Sequence, residues 1–275
     1  LPPHSLCDIM VDSKRRGVRE EMRMEITLVQ YLIVCPLVFL AGLMDSIAGG
    51  GGLISLPAFM IAGIPAHLSL GSNKMCSVMG TVVSTARFAK NGFINFKTSV
   101  WFAAAALIGS SIGSHLILMV SEGIIEKLML VILPVVAVYV LWNKNLGDDS
   151  KAGTISAGRK FAVSLAAAFI VGTYDGFYGP GTGTFLILIL TGAARYTMKE
   201  AAGTTKVINL ASNAAAFATF LLNGKVLIPL GFISGLFCIL GHYIGSGLVL
   251  TNGKKIVRPV VLIVLAILFV KVLMG

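Results

Sequence analysis

Long apolar runs separated by short polar stretches dominate this chain. Runs of about 20 residues, enough to cross a hydrocarbon core of about 30 Å as a helix, fall at 26–45, 70–89, 98–120, 124–142, 160–178, 201–222, 226–250 and 256–274. Two shorter runs, at 53–64 and 183–194, follow the first and the fifth. A dozen residues at 1.5 Å each cover roughly 18 Å, too little to span. Each is read as a half-helix or re-entrant segment facing protein, because lipid cannot satisfy free backbone groups. The pattern predicts an all-α polytopic membrane protein of two homologous halves. Each half has about four spanning helices plus a short broken or re-entrant helix after a glycine-rich break. The first membrane repeat covers 24–142, a polar connector 143–159 and the second repeat 160–275.

The halves align position by position. Gly42, Asp45, Gly49 and Gly51 precede Gly172, Asp175, Gly179 and Gly181 by 130 positions. After a two-residue insertion, Gly71 and Lys74 precede Gly203 and Lys206 by 132, and Asn91–Gly92 precede Asn223–Gly224 by the same interval. Gly109, Gly113 and Ser114 match Gly241, Gly245 and Ser246 in that register. The abundance of glycine in membrane helices explains part of this agreement, but not the matched Asp and Lys. If the short segments do not cross, four spans per half make the halves parallel; if they cross, five make them inverted. Loop charge is divided. With a cytoplasmic N-terminus, the four-span arrangement places Arg87, Lys90 and Lys97 inside, with Lys144, Lys151, Arg159 and Lys160, but leaves Lys254, Lys255 and Arg258 outside.

Composition supports the membrane reading. Hydrophobic residues make up 56% and charged residues 12% of the chain, with a mean hydropathy of +0.89; soluble domains carry about 25% charged residues. The formal charge of +10 does not indicate nucleic acid, since no basic stretch outside the apolar runs is long enough to form a binding surface. It is read as loop charge that sets topology, some of which also attracts anions. Cys7, Cys35, Cys76 and Cys238 show no ligand spacing, so neither a disulfide framework nor a metal site nor any cofactor is expected. Residues 1–23 are a polar extension ahead of Met24. An upstream reading-frame artefact, a tag remnant and a cytoplasmic amphipathic segment each fit it. A cleaved signal is disfavoured, because cleavage after the first apolar run would remove Asp45.

Three sets of residues carry candidate chemistry. Gly49, Gly50, Gly51 and Gly52 in one half, and Gly179, Gly181, Thr182 and Gly183 in the other, cost helix stability of around 1 kcal/mol per glycine. They also let a ligand or another backbone approach. A half-helix starting after each break would aim its positive end at the break, where an anion could bind; close helix packing through small residues is the alternative. Lys74 and Lys206 follow small polar residues, Ser72 and Asn73 in one case and Thr204 and Thr205 in the other. Each lysine would either attract an anionic substrate or extend to the headgroups. Asp45 and Asp175 are costly inside a span. They are candidate proton carriers, partners for the lysines, or caps on the broken helices. Asn209 and Asn213 share a face with Thr205 and would contact substrate or bond between helices. His115 and His242 are each read as a satisfied buried histidine.

The duplicated pattern, GGGGLISLP in one half and GPGTG in the other, followed by GSNK and GTTK, resembles the sulfite exporter TauE/SafE family over nearly all of the chain from Met24. The resemblance implies a permease for sulfur-containing anions such as sulfite, sulfoacetate or other organosulfonates. It also implies a multi-pass protein of a prokaryotic inner membrane, with the paired glycine and GSNK/GTTK segments as site elements. The polar extension departs from the family pattern.

The sequence is therefore read as a non-enzymatic transporter of a small anionic substrate in a lipid bilayer, working by alternating access at a midplane site between two repeats. A passive anion channel and a non-transporting scaffold subunit are the rival readings; a homo-oligomer is one of the assemblies left open. No GxxxxGK[ST] or HExxH motif is present to support a pump or a metallopeptidase.

Overall fold

The structure, a computed structural model, describes residues 26–125, 127 and 153–273, the side chains as far as Thr251. The backbone is helical between short turns: α1 (Leu28–Ala48), α2 (Gly52–Ile61), α3 (Ala66–Lys90), α4 (Phe96–Leu118), α5 (Ala157–Phe177), α6 (Thr182–Gly192), α7 (Met198–Leu222) and α8 (Ile228–Leu273). No strand occurs among the described residues. Local chemistry fixes several starts. Thr27 with Gln30 and Thr197 with Glu200 form reciprocal capping boxes at α1 and α7, each satisfying two orphan N–H groups. Asn95 and Ser156 cap α4 and α5.

Among the described residues, four segments are long and apolar enough to cross a membrane: Leu28–Ile47, Phe96–Leu118, Met198–Leu222 and Ile228–Thr251. α3 is as long as α7 but less apolar, because it buries Ser69, Ser72, Asn73, Lys74, Thr81 and Ser84 against protein. The polarity is inside out. Leu32, Trp101, Ile108, Ile170, Phe232 and Leu240 face outward, while Lys74, Asp175, Lys206, Asn209 and His242 are buried. Lipid is the solvent that favours that arrangement.

Glycine contacts define the helix directions. α1 packs along α8, where a Cβ on Gly42 would fall 2.6 Å from the carbonyl of Cys238 and one on Gly245 2.5 Å from that of Leu43. α4 packs along α5, with Gly172 against Ala106 and Gly176 against Ser110. Both pairs are parallel, since the residue numbers rise together. α3 and α7 are antiparallel: Gly71, near the start of α3, abuts the carbonyl of Lys225 just after α7, and Gly203, near the start of α7, abuts that of Phe93 just after α3.

Each short helix folds back toward the start of the long helix before it. Gln30 Nε2, at the start of α1, donates to the carbonyl of Ala62 beyond α2 (3.0 Å). Ser164 Oγ, early in α5, meets Tyr196 OH beyond α6 (3.4 Å), and Lys160 Nζ lies 3.7 Å from the centre of the Tyr196 ring. Each long helix and its short successor thus begin and end on the same face. Non-crossing short segments therefore do not entail parallel halves, as the span count alone suggested. The chain directions also resolve the divided loop charge. Lys199 Nζ donates to the carbonyl of Leu250 (3.2 Å), which places that part of α8 on the face where α3 ends and α4, α5 and α7 begin. Arg87, Lys90, Lys97, Arg159, Lys160 and Arg195 belong to the same face, and α1 starts on the opposite one.

One expected boundary is absent. Separate spans at 226–250 and 256–274 are joined by continuous helix from Ile228 to Leu273. Asn252 and Gly253 are poor helix formers, but they cost only about 1 kcal/mol or less each, and no proline occurs between Pro229, in the first turn of α8, and Pro259 to force a turn. The expected span at 124–142 lies almost wholly outside the described residues, as do residues 1–23 and most of the connector.

Candidate functional site

The two glycine breaks meet. α1 ends at Gly49, whose φ of 76° is left-handed, a conformation costly for residues with a Cβ. α5 ends at Tyr178, and Gly179 (φ 97°) and Gly181 (φ 84°) turn the chain into α6. Gly49 packs directly on Gly183, and a Cβ on Gly49 would lie 2.7 Å from the backbone nitrogen of Thr184. A Cβ on Gly52 would lie 3.2 Å from Pro180 Cα. Gly50 is buried in the first break, and its carbonyl accepts from Leu53 N (3.0 Å). Neither α2 nor α6 has a side-chain cap. Their N-terminal turns, with the positive ends of their dipoles, therefore start where the two breaks touch.

Each buried lysine reaches the aspartate of the other half. Lys74 Nζ lies 2.9 Å from Asp175 Oδ2 and 3.0 Å from Asn213 Oδ1. Lys206 Nζ lies 3.5 Å from Asp45 Oδ2 and also donates to the Asp45 carbonyl. Neither ammonium extends to a headgroup region: both lysines are at least 98% buried, with 2% and 1% exposed. The aspartates also hold the breaks. Asp45 Oδ1 accepts from Gly51 N (3.3 Å), and Asp175 Oδ1 accepts from Thr182 Oγ1 (2.9 Å). Partner to a lysine and brace of a broken helix are thus combined in the same carboxylates.

The remaining candidate residues divide into two groups. Asn73 lines a small cavity with Asp45, Thr205 precedes Lys206 on α7, and Asn73 Oδ1, Thr205 Oγ1 and Asn209 Oδ1 are buried without a hydrogen-bond partner. Asn209 Nδ2 faces Gly183, 3.0 Å from where its Cβ would be. Leaving such atoms unpaired costs about 1–3 kcal/mol each, and native proteins rarely tolerate it without a reason. Asn213 Nδ2 donates to the Asn209 carbonyl (2.7 Å), so Asn213 links the stripe to Lys74. Ser72 and Thr204 lie away from the breaks. Ser72 Oγ accepts from Leu227 N (2.9 Å) and so holds the α7–α8 turn. Thr204 lines a cavity of about 420 Å³ with Asn95, Thr98, Lys160, Tyr196 and Glu200, on the face rich in basic residues.

His242 is the participant that sequence reasoning missed. Its Nε2 lies 3.5 Å from Asp45 Oδ2 and its Nδ1 3.0 Å from Ser84 Oγ. The signal available was its position on α8, four residues after Cys238, which packs on Gly42, and beside Gly241, a residue matched in the other half. Its counterpart there, Ser110, is not a histidine. Tyr178, beside the second break, is 1% exposed and its hydroxyl has no partner. Among the described residues, no cluster of three or more His, Cys, Asp or Glu is arranged to hold a metal ion. Electrostatically, two ammonium groups balance two carboxylates at the junction of two helix N-termini, with unpaired amide and hydroxyl oxygens beside them. Such a site can exchange an internal carboxylate for an external anion.

The profile of the family described as "Sulfite exporter TauE/SafE" matches residues 34–272. The chain is 35% identical over 235 residues to "Probable membrane transporter protein ORF9" of Sinorhizobium sp, covering 86% of this chain and 89% of that protein. It is 34% identical to a "Probable membrane transporter protein" of Haemophilus influenzae, covering 82% and 87%. It is 33% identical to "Probable membrane transporter protein YfcA" of Escherichia coli, covering 85% and 86%. No solved structure matches the chain. The duplicated acid, glycine and lysine pattern that forms the paired centre runs through the matched region, and the chain belongs to the sulfite exporter TauE/SafE family.

Proposed function

We propose that this protein carries small sulfur-containing oxyanions, sulfite, sulfoacetate or other organosulfonates, across a prokaryotic plasma membrane. Transport is by alternating access at the junction of the two glycine breaks. The observation that carries this reading is the reciprocal pairing of Lys74 with Asp175 and Lys206 with Asp45, which sets two buried ammonium groups at one junction. An oxyanion entering the junction would take over an ammonium from its aspartate. It would also gain the hydroxyl of Thr205, the amides of Asn73 and Asn209, and the N-terminal turns of α2 and α6.

The chain directions support two inverted repeats. α3 and α7 hold equivalent places in the two halves and run antiparallel. Each re-entrant hairpin, α1–α2 and α5–α6, opens from a different face. Inverted repeats with broken helices at the midplane give a two-fold site whose halves can rock against each other. The face carrying Arg87, Lys90, Lys97, Arg159 and Lys160 is cytoplasmic under the positive-inside rule, and Lys160 and Tyr196 line the cavity on that face.

The test is counterflow of radiolabelled sulfite, sulfoacetate and a simple sulfonate in proteoliposomes. Wild-type protein exchanges at least one of them, and the Lys74→Ala/Lys206→Ala variant does not while remaining folded. Undiminished exchange by that variant removes the lysines from the site. Absence of exchange of all three anions by wild-type protein rejects the substrate class.

A further inference from the structure

The two matched centres differ in a way that assigns them different work. Asp175 is tightly held. Its Oδ1 accepts from Thr182 Oγ1 (2.9 Å), and its Oδ2 from Ser212 Oγ (2.7 Å) and Lys74 Nζ (2.9 Å). Its side chain is 4% exposed. Asp45 is loosely held: Gly51 N is 3.3 Å from Oδ1, and Lys206 Nζ and His242 Nε2 are each 3.5 Å from Oδ2. Its side chain is 19% exposed. It borders a cavity of about 10 Å³ shared with Ser55, Asn73, Cys76, Ser77 and His242, about the minimum for one water molecule.

The sequence accounts for the difference. The position matched to Ser212, 132 residues earlier, is Gly80. Where Ser212 clamps Asp175, Gly80 leaves space, and the His242 ring lies against it, with Nε2 2.9 Å from where a Cβ would be. Ser84 Oγ holds the other ring nitrogen at 3.0 Å, so the Nε2 edge is aimed at Asp45. The ionisable groups around this centre are Asp45 from α1, Cys76 from α3, Lys206 from α7, and Cys238 and His242 from α8. α2 and α6 contribute no ionisable side chain.

We propose that Asp45 and His242 form the protein's proton-carrying pair, with Lys206 as the cation they release, and that Asp175–Lys74 is a fixed brace. This rests on the transport reading above. A proton entering through this cavity binds the Asp45–His242 pair, which gains one positive charge. Asp45 then relaxes its hold on Lys206, whose ammonium takes the oxyanion. When the anion leaves, Lys206 returns to Asp45 and the proton returns to water. One proton moves with each anion, and no bond other than O–H or N–H is made or broken.

Infrared difference spectroscopy during acidification of the reconstituted protein tests the titration without requiring transport. Wild-type protein gains a protonated-carboxyl band that is lost in Asp45→Asn and kept in Asp175→Asn. In His242→Gln, and in Ser84→Ala should that variant not fold, its midpoint moves by about one pH unit or more, the scale of a close charged neighbour. A band that survives Asp45→Asn but disappears in Asp175→Asn overturns the proposal, as does a midpoint unmoved in the folded variant. Flux is followed with isethionate, a sulfonate that stays ionised, so every proton co-transported is carried by the protein. The expected pH profile of flux has the same midpoint as the band. A titrating Asp45 in a protein that moves no sulfonate or sulfite rejects the transport reading, and with it the coupling role, while the titration itself stands.

Discussion

Lys74 is paired with the aspartate of the opposite half, Asp175, at 2.9 Å, and Lys206 reaches back to Asp45. Neither ion pair can form within one half alone, so the assembled junction brings both together. Removing one partner of a buried pair leaves an uncompensated charge and costs about 3–5 kcal/mol, whereas replacing both with apolar residues of similar volume is often neutral. Lys74→Met is expected to lower thermal stability in detergent by that amount. Lys74→Met/Asp175→Leu recovers most of it without recovering anion exchange. Recovery of exchange in the double variant would show that the pair serves packing alone.

The contact between Gly49 and Gly183 predicts a sharp positional effect. Alanine at Gly49 would have to adopt a φ of 76° and place its Cβ 2.7 Å from Thr184 N. The backbone term alone is about 1–2 kcal/mol, and crowding adds about 1–3 kcal/mol. Gly183→Ala would meet the Gly49 carbonyl at 2.9 Å and Asn209 Nδ2 at 3.0 Å. Both variants should lose at least about tenfold in anion exchange, the equivalent of 1.4 kcal/mol. Gly158→Ala, with nothing within 4 Å of its Cβ, should leave exchange intact. Proteoliposome counterflow of the three variants in parallel checks this.

The sequence made some of this legible and hid the rest for identifiable reasons. Among the described residues, apolar run length located the long helices except for the boundary expected within α8, and glycine spacing located both breaks to within a residue or two of Gly49 and Gly179. The acids and lysines stood out because charge inside an apolar run is costly. Their cross-pairing was not legible: Lys74 and Asp175 are far apart in sequence, and spacing along one chain carries no information about which helices meet. Helix direction was hidden as well, because a re-entrant segment and a tightly turned span have similar composition. His242 passed as a core residue because its role depends on the space above Gly80, on a different helix. The continuity of α8 through Asn252 and Gly253 shows that two poor helix formers do not make a turn when no proline or cap enforces one.

Helix directions place Asn95 and Asn223 on opposite faces. Asn95 caps α4 on the basic face, and Asn223 follows α7 on the other. Both side chains are exposed. In a Cys7→Ser background, Asn95→Cys should react with a membrane-impermeant maleimide only in inside-out vesicles, and Asn223→Cys only in right-side-out ones. Cys35, Cys76 and Cys238 are buried and should give little background. Labelling of both positions from the same side would reject the antiparallel arrangement of α3 and α7, and with it the inverted repeat. Reversed sidedness would keep the arrangement but invert the assignment of the basic face.

The start of α3 is tied to the segment after α4 by His67 and Glu122. The His67 backbone N–H lies 3.2 Å from each carboxylate oxygen of Glu122, and the ring meets the same carboxylate. Burial pushes the Glu122 carboxyl up, but the His67 ring bond, its charge and the backbone donors outweigh burial and hold it below the usual carboxylate range. A lowered folded-state value means the carboxylate stabilises the fold fully above its unfolded value of about 4.3. That contribution is lost as pH falls through the lower folded value. The side chain is 41% exposed, so solvent screening limits the effect to about 0.5 kcal/mol. Glu122→Gln should therefore unfold slightly earlier than wild type at pH 7, and the two proteins should converge as the solution is acidified below pH about 4. Thermal unfolding of both in detergent across that range checks the sign. A gap that persists undiminished at acid pH would assign the tie to packing and to the backbone hydrogen bonds, with no part for the charge.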